Sequence, residues 1–152
     1  MKRKSMPAII GHRGASWAAP ENTMESFRLA WQEGADCIEG DFRFTADREV
    51  VCIHDATSER VARGQQELKV GESSFAELQT LDVGSWKAGE YQNARVPALK
   101  HVLSEIPAGK GVYIEIKDPD FQIVSAIKDC LDSALFSLDR VRLISFHPEV
   151  LA

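Results

Sequence analysis

Apolar and polar positions alternate along this chain in blocks, with short apolar runs giving way to stretches of helical spacing. Residues 8–11 form a brief run of strand type that delivers His12, Arg13 and Gly14 at its end. After a loop containing Pro20, Asn22 stands three positions before Glu25, a capping pattern that predicts a helix start. Met24, Phe27, Ala30 and Trp31 give that helix an apolar face, and Gly34 supplies its stop. A second strand is predicted over 35–42 and a third over 50–53, ending on His54 and Asp55. The link between them is too short for a crossover helix. A hairpin about Asp47-Arg48 would set Asp41 opposite His54, and a parallel pair with an extended loop is the alternative. Residues 56–97 show no sustained period apart from a short helical stretch over 74–81, and Trp86 and Tyr91 fall in the loop beyond. Such a segment is functional cover or an insertion.

Regular patterning returns with a helix over 98–106, stopped by Pro107 and Gly109, and a strand over 111–116. Asp118-Pro119 reads as a cap followed by proline at the first helical position, with Phe121, Val124, Ile127 and Leu131 as the stripe of the next helix. A last strand is expected over 140–146, and His147-Pro148-Glu149 opens a further helix. Strands alternating with helices, with polar residues gathered at strand C-terminal ends, predict a parallel α/β fold. The dinucleotide fingerprint G-x-G-x-x-G is absent. An eight-fold barrel, which carries its chemistry at strand C-termini, matches the placement of His12, Glu39, Asp41, His54, Glu115 and Lys117. About five strands are counted, whereas a full barrel needs roughly 250 residues. The chain therefore reads as the N-terminal part of a single TIM-like (β/α)8 barrel domain, with an irregular insertion at about 56–97.

Composition narrows the picture. The chain has 152 residues, 44% of them hydrophobic and 27% charged, which is enough to bury a core in one domain. A net charge of -5 without a Lys/Arg-rich patch argues against a nucleic-acid partner. The basic start of the chain is followed by an apolar run far too short for a signal sequence or a stable membrane insertion. Cys37, Cys52 and Cys130 form no C-x-x-C pair, which suits a reducing, cytoplasmic setting.

Period-two geometry puts Glu39 and Asp41 on one strand face, and Glu115 and Lys117 share a face opposite the isoleucines. Three carboxylates without accompanying cysteine make a hard oxygen site for Mg²⁺ or Ca²⁺, with Glu39, Asp41 and Glu115 as ligands. His12 and His54 at neighbouring strand ends suit a shared proton-transfer step. Arg13 and Lys117 add positive charge at the same mouth, which in an acidic protein points to an anionic substrate such as a phosphate ester. For Lys117, an ion pair with Glu115 is the plainer expectation. His101 reads as surface helix, His147 just past a strand reads equally as facing the mouth or as ordinary loop polarity, and Trp86 and Tyr91 read as cover for a core edge rather than a pocket wall.

His12-Arg13-Gly14, Pro20-Glu21-Asn22-Thr23, Glu39-x-Asp41, His54-Asp55, Val96-Pro97-Ala98-Leu99, Glu115-x-Lys117 and the Ser145-Phe146 strand end, taken together, resemble the glycerophosphodiester phosphodiesterase family. The resemblance spans essentially the whole chain and about the first three-fifths of the family's barrel. It implies metal-dependent hydrolysis of small glycerophosphodiesters to sn-glycerol 3-phosphate and an alcohol. Under it, His12 and His54 are the acid-base pair, Glu39, Asp41 and Glu115 hold the metal, and Arg13 and Lys117 hold the phosphate. The remaining C-terminal part of the barrel is the implied partner of this chain. Two departures stand out: Asp47-Arg48 replaces the usual Asp-Gly turn, and Ser58-Glu59 replaces Leu-Asp before Arg60. The rival readings are a truncated barrel that only binds, and a related phospholipase acting on lipid phosphodiesters.

Overall fold

The structure, a computed structural model, describes residues 7–152; the basic start of the chain lies outside them. Five strands form one sheet: β1 (Ile10–His12), β2 (Cys37–Phe44), β3 (Val50–Cys52), β4 (Gly111–Ile116) and β5 (Val141–Ser145). Their order is β1-β2-β4-β5, all parallel, while β3 pairs antiparallel with the C-terminal end of β2. The helices are α1 (Met24–Gln32), α2 (Phe75–Leu78), α3 (Leu99–Glu105) and α4 (Gln122–Ser133). This is the expected α/β architecture, part of a barrel without closure. Large apolar side chains are exposed beside both outer strands, Ile9, Ile10 and Trp17 near β1 and Ile144 and Phe146 on or after β5.

Between the two possible connections of β2 and β3, the hairpin is observed, but displaced by one residue. Phe42 pairs with Cys52 and Phe44 with Val50, so Ile53, not His54, lies beside Asp41, and its N–H donates to the Asp41 carbonyl at 2.8 Å. The turn explains the shift. Thr45 N–H bonds to Glu49 O at 3.0 Å, leaving a three-residue loop where a two-residue turn was expected. Arg48 sits in that loop at φ 64°, the left-handed conformation that glycine adopts without cost. Its guanidinium stacks 3.7 Å from the Phe44 ring centroid and pairs with Asp120 at 2.7 Å, contacts that offset the strain.

Two helix starts differ from the sequence expectation. Thr23 caps α1, in a capping box with Ser26 rather than Glu25. This moves the cap one residue on and frees Asn22, at φ 55°, to point elsewhere. Asp118 does not cap α4; it pairs with Arg43 and accepts the Phe44 N–H at 3.2 Å. Helix α4 begins four residues after Asp118, and Phe121 is exposed, so the buried stripe is Ile123, Ile127 and Leu131 with Val124 at its edge. Residues Pro148–Leu151 form a short 3-10 turn rather than an α-helix.

The main core lies between the sheet and α1, α3 and α4. Phe27, Ile38, Phe42, Leu99, Ile114, Ile116 and Ile123 are all fully buried there, each such side chain contributing about 1.5–3 kcal/mol. Gly40, between the two β2 carboxylates, makes room for this packing. A Cβ at Gly40 would come within 2.9 Å of Cys52 Sγ and 3.2 Å of the Phe27 ring.

The segment 56–97 packs Val61, Val70, Leu78, Leu81, Val83 and Val96 with Val51 and Ile53 of the β3 stretch into a second apolar cluster. It leaves and rejoins the fold at β3, where Cys52 N–H donates to Pro97 O at 2.8 Å and Val51 bridges to Ala98. Its backbone groups are satisfied by local turn bonds, such as Ala62 N–H to Ser58 O and Val83 N–H to Ala94 O, and at several points by side chains. Asp82 accepts the N–H groups of Gly84, Ser85 and Asn93, which draw its carboxyl well below the ordinary range against the opposing effect of burial. Trp86 packs at the edge of this cluster, as expected, and donates its Nε1–H to Val83 O at 2.8 Å. Among the described residues no helix is long and apolar enough to cross a membrane.

Candidate active site

The parallel ladder assembles the acidic centre. His12 is in register with Glu39 on β2, and two residues further along Asp41 is in register with Glu115 on β4. Side chains in register on parallel strands share a face. The isoleucines of β2 and β4 turn to the core, and the carboxylates turn away from it. One oxygen from each of Glu39, Asp41 and Glu115 can be chosen so that all lie within 4.8 Å of one another. Glu39 is 5% exposed and Asp41 0%. Burial, then the negative charges of Asp41 and Glu115, push the Glu39 carboxyl up to about 7, although the Arg13 N–H bond to Glu39 Oε2 at 2.9 Å works the other way.

Two buried oxygens here, Glu39 Oε1 and Asp41 Oδ1, accept no hydrogen bond. Unsatisfied buried carboxylate oxygens are costly, and a cation bound by the trio would satisfy them. The donor set is all oxygen, so these residues fit a hard divalent cation.

Positive groups border the trio. Arg13 Nε lies 3.1 Å from Asp41 Oδ2, close enough to pair but off the line of a hydrogen bond. Lys117 Nζ donates to Glu115 Oε1 at 2.7 Å and stands 3.4 Å from Asp41 Oδ1. The expected Glu115–Lys117 pair is therefore present, and Lys117 also faces Asp41. Arg13 lies at φ 57° in the tight bend after β1, and Gly14 follows at φ 82°. A side chain at Gly14 would collide with Ser26 at 2.4 Å, so this bend packs directly on the first turn of α1.

The two histidines are placed differently. His12 is largely exposed, with Nε2 3.9 Å from Glu39 Oε2. No hydrogen bond or ion pair joins His54 directly to the trio among the described residues. Its Nδ1 lies 2.6 Å from Asp55 Oδ1, and its carbonyl accepts the Arg43 Nε–H at 2.9 Å. His101 pairs with Glu105 on the outside of α3, and His147 lies 3.6 Å from Glu149. His101 is therefore peripheral, as its position in the sequence suggested, and among the described residues His147 makes no hydrogen bond or ion pair to the trio.

Four further residues belong to this site. Asn22 donates its Nδ2–H to Asp41 Oδ2 at 2.8 Å, while its Oδ1 accepts the Asp41 N–H at 3.2 Å and the Cys52 thiol at 3.2 Å. It thus grips Asp41 at backbone and side chain. Glu21 accepts from Arg13 Nη1 at 3.0 Å and from both Nη atoms of Arg60, and Arg60 Nε donates to Asp55 at 2.6 Å. Asn22 was hidden by its resemblance to a helix cap. Glu21 and Asp55 sat inside quoted motifs without a role, and Arg60 lay in the segment that has no period to read. A cleft of about 430 Å³ between α1, α3 and the 93–97 stretch includes none of these groups.

The model of the glycerophosphoryl diester phosphodiesterase family matches residues 12–150. YhdW of Bacillus subtilis is 43% identical over 115 residues, covering 76% of this chain and 46% of that protein. A glycerophosphodiester phosphodiesterase of the same organism is 35% identical over 119 residues, covering 73% of this chain and 40% of the relative. The crystal structure of a glycerophosphodiester phosphodiesterase from Agrobacterium tumefaciens superposes with a TM-score of 0.84 at 37% identity, covering 95% of this chain and 60% of that one. An Oleispira antarctica phosphodiesterase, solved in complex with the product sn-glycerol-3-phosphate, gives 0.88 at 32% identity, covering 96% and 60%. The chain thus spans less than half the length of these two sequence relatives and three-fifths of the solved barrels. The strand order, the acidic trio and a family match across nearly every described residue agree: the chain belongs to the glycerophosphoryl diester phosphodiesterase family.

Proposed function

We propose that the single barrel domain to which these residues contribute hydrolyses glycerophosphodiesters to sn-glycerol 3-phosphate and an alcohol. The observation that carries the reading is the largely buried trio Glu39, Asp41 and Glu115, with two oxygens that accept no hydrogen bond and with Arg13 and Lys117 beside it. The product bound in the Oleispira antarctica relative supports the substrate class. The trio would hold one Mg²⁺ or Ca²⁺. When bound, that cation supplies charge neutralisation and polarisation at a phosphate oxygen.

The chain's own residues account for the rest. Arg13 and Lys117, now paired with carboxylates, are the donors available to a phosphate arriving between them. His54, with Nδ1 against the Asp55 carboxylate, must carry its neutral-form proton on Nδ1, since an ionised carboxylate only accepts. This leaves Nε2 as the atom that takes or returns a proton. His12, at the end of β1 and next to Glu39, is the second member of the acid-base pair. Assistance of this kind contributes about 10²- to 10⁴-fold. The three free cysteines support a reducing, cytoplasmic setting.

The test is release of glycerol 3-phosphate from glycerophosphocholine by the natural gene product with Mg²⁺ or Ca²⁺. Activity is expected, and either His12→Ala or Glu39→Ala should abolish it. Full activity in either variant would overturn the site assignment, and no hydrolysis by the folded wild-type protein would favour a barrel that binds without turnover.

A further inference from the structure

Arg60 has an unusual set of partners for a residue in the irregular segment. Its Nη1 donates to Glu21 Oε2 at 2.8 Å, its Nη2 to Glu21 Oε1 at 2.9 Å, and its Nε to Asp55 Oδ2 at 2.6 Å. All three nitrogens are engaged, and each carboxylate also meets a second side chain. Asp55 Oδ1 meets His54 Nδ1 at 2.6 Å, and Glu21 Oε1 meets Arg13 Nη1 at 3.0 Å. The result is one continuous chain: Arg13, Glu21, Arg60, Asp55, His54. It joins two parts of the site whose functional side chains share no direct hydrogen bond or ion pair among the described residues.

The backbone of Arg60 is anchored. Val61 and Ala62 are buried in the second apolar cluster, and their N–H groups bond to Ser58 O at 3.2 and 2.8 Å. The guanidinium therefore projects from a packed turn rather than from a free loop. Charge agrees with geometry. Burial alone would raise the Glu21 and Asp55 carboxyls, yet both are held below their ordinary range, chiefly by Arg60. Arg13 assists at Glu21 and His54 at Asp55. An isolated exposed ion pair stabilises little and orders little. A planar fork that grips one carboxylate with two donors and a second with the third has a fixed geometry, which lysine cannot reproduce.

We propose that Arg60 is a positioning residue of this site: its guanidinium clamps Asp55 against His54 and Glu21 against Arg13, so one side chain sets both the proton-transfer imidazole and the phosphate-binding arm. The proposal rests on the phosphodiesterase reading for the meaning of those two arms, but its geometric content stands apart from turnover. With Asp55 pinned, neutral His54 carries its proton on Nδ1 and presents a bare Nε2. With Arg60 removed, Asp55 is free to turn to solvent and the imidazole loses that restraint.

The experiment is long-range ¹H–¹⁵N NMR of the histidine rings in wild-type protein, Arg60→Lys and Arg60→Ala, at about pH 8, above the ordinary imidazole pKa. Wild-type His54 is expected to be predominantly the Nδ1–H tautomer, and both variants should shift it to a majority Nε2–H form while backbone amide dispersion is retained. An unchanged His54 tautomer in a folded variant, or a wild-type His54 that is mainly Nε2–H, overturns the proposal. So does loss of the fold in both variants, which would make Arg60 a structural residue. In parallel, Arg60→Lys should lower kcat for glycerophosphocholine on the order of 10²-fold, the cost of misplaced reacting groups. Should the wild-type protein not hydrolyse that substrate at all, the phosphodiesterase reading fails while the tautomer result still decides the clamp.

Discussion

Glu39, Asp41 and Glu115 stand on a hydrogen-bonded parallel ladder, with Asp41 directly beside Glu115, whereas His54 lies past the end of β3 and takes its orientation from Asp55 and a distant arginine. The first region is positioned by strand register, a property of the backbone. The second is positioned by a relay of ion pairs, a property of side chains from three stretches of chain. Each is also backed by a different core. The ladder rests on the main cluster under α1, α3 and α4, while Arg60 rests on the smaller cluster made by 56–97. Parallel register over six paired positions of β2 and β4 leaves a carboxylate little freedom, so the charged trio can be buried and still held together. A histidine outside the ladder needs charged partners to hold it, and these need a packed base of their own.

This separation can be broken by mutation. Leu78 is fully buried in the second cluster, and Leu78→Ala is expected to cost about 2–5 kcal/mol by denaturant unfolding. If the two regions are separate, amide exchange should speed first within 56–97, and the affinity for Mg²⁺ or Ca²⁺ measured by calorimetry should hold in the folded variant. A collapse of cation binding alongside the stability loss would show the two regions to be one unit.

Asn22→Ala sharpens the comparison from the other side. It removes the only side-chain hydrogen bond to the Asp41 carboxylate among the described residues and should weaken divalent-cation binding about 10- to 100-fold, the effect usual for a residue that orients a metal ligand. The His54 tautomer should stay as in the wild type, because the Asn22 side chain bonds only to Asp41 and Cys52 and not to that relay.

The smallest expected effect concerns acid. Glu21 has a lowered carboxyl in the fold, so its pairing contributes stability that is present above the ordinary value of 4.5 and is lost as pH falls through the lowered value. Wild type and Glu21→Gln should therefore differ most near neutral pH and converge in acid. The difference should be about 1 kcal/mol or less, since Arg60 is partly exposed to solvent. Stability of the two proteins measured against pH checks it, and curves that diverge on acidification would contradict the relay.

Much of the site was legible in the chain because period-two patterning decides which strand residues share a face. Glu39, Asp41 and Glu115 with Lys117 came from that rule, and β4 was bounded correctly by its own apolar run. The hairpin register was misjudged by one residue because turn length depends on a single hydrogen bond, Thr45 to Glu49, and on Arg48 accepting a left-handed conformation. Asn22 was misread for a related reason: the same residue type caps a helix or grips a carboxylate, and only the packing of β1 and α1 around Gly14 selects between them.

The amino-acid sequence by itself determined the alternation of strands and helices, the face on which the acidic residues stand, and the kind of ion they suit, since these depend on local geometry and side-chain chemistry. Tertiary structure alone decided that Arg60 reaches Glu21, 39 residues away, and through Asp55 reaches His54. Ion pairs of that sequence separation carry no periodic signal. They exist because two apolar clusters pack on opposite sides of one short strand and bring an unpatterned turn against the end of the sheet.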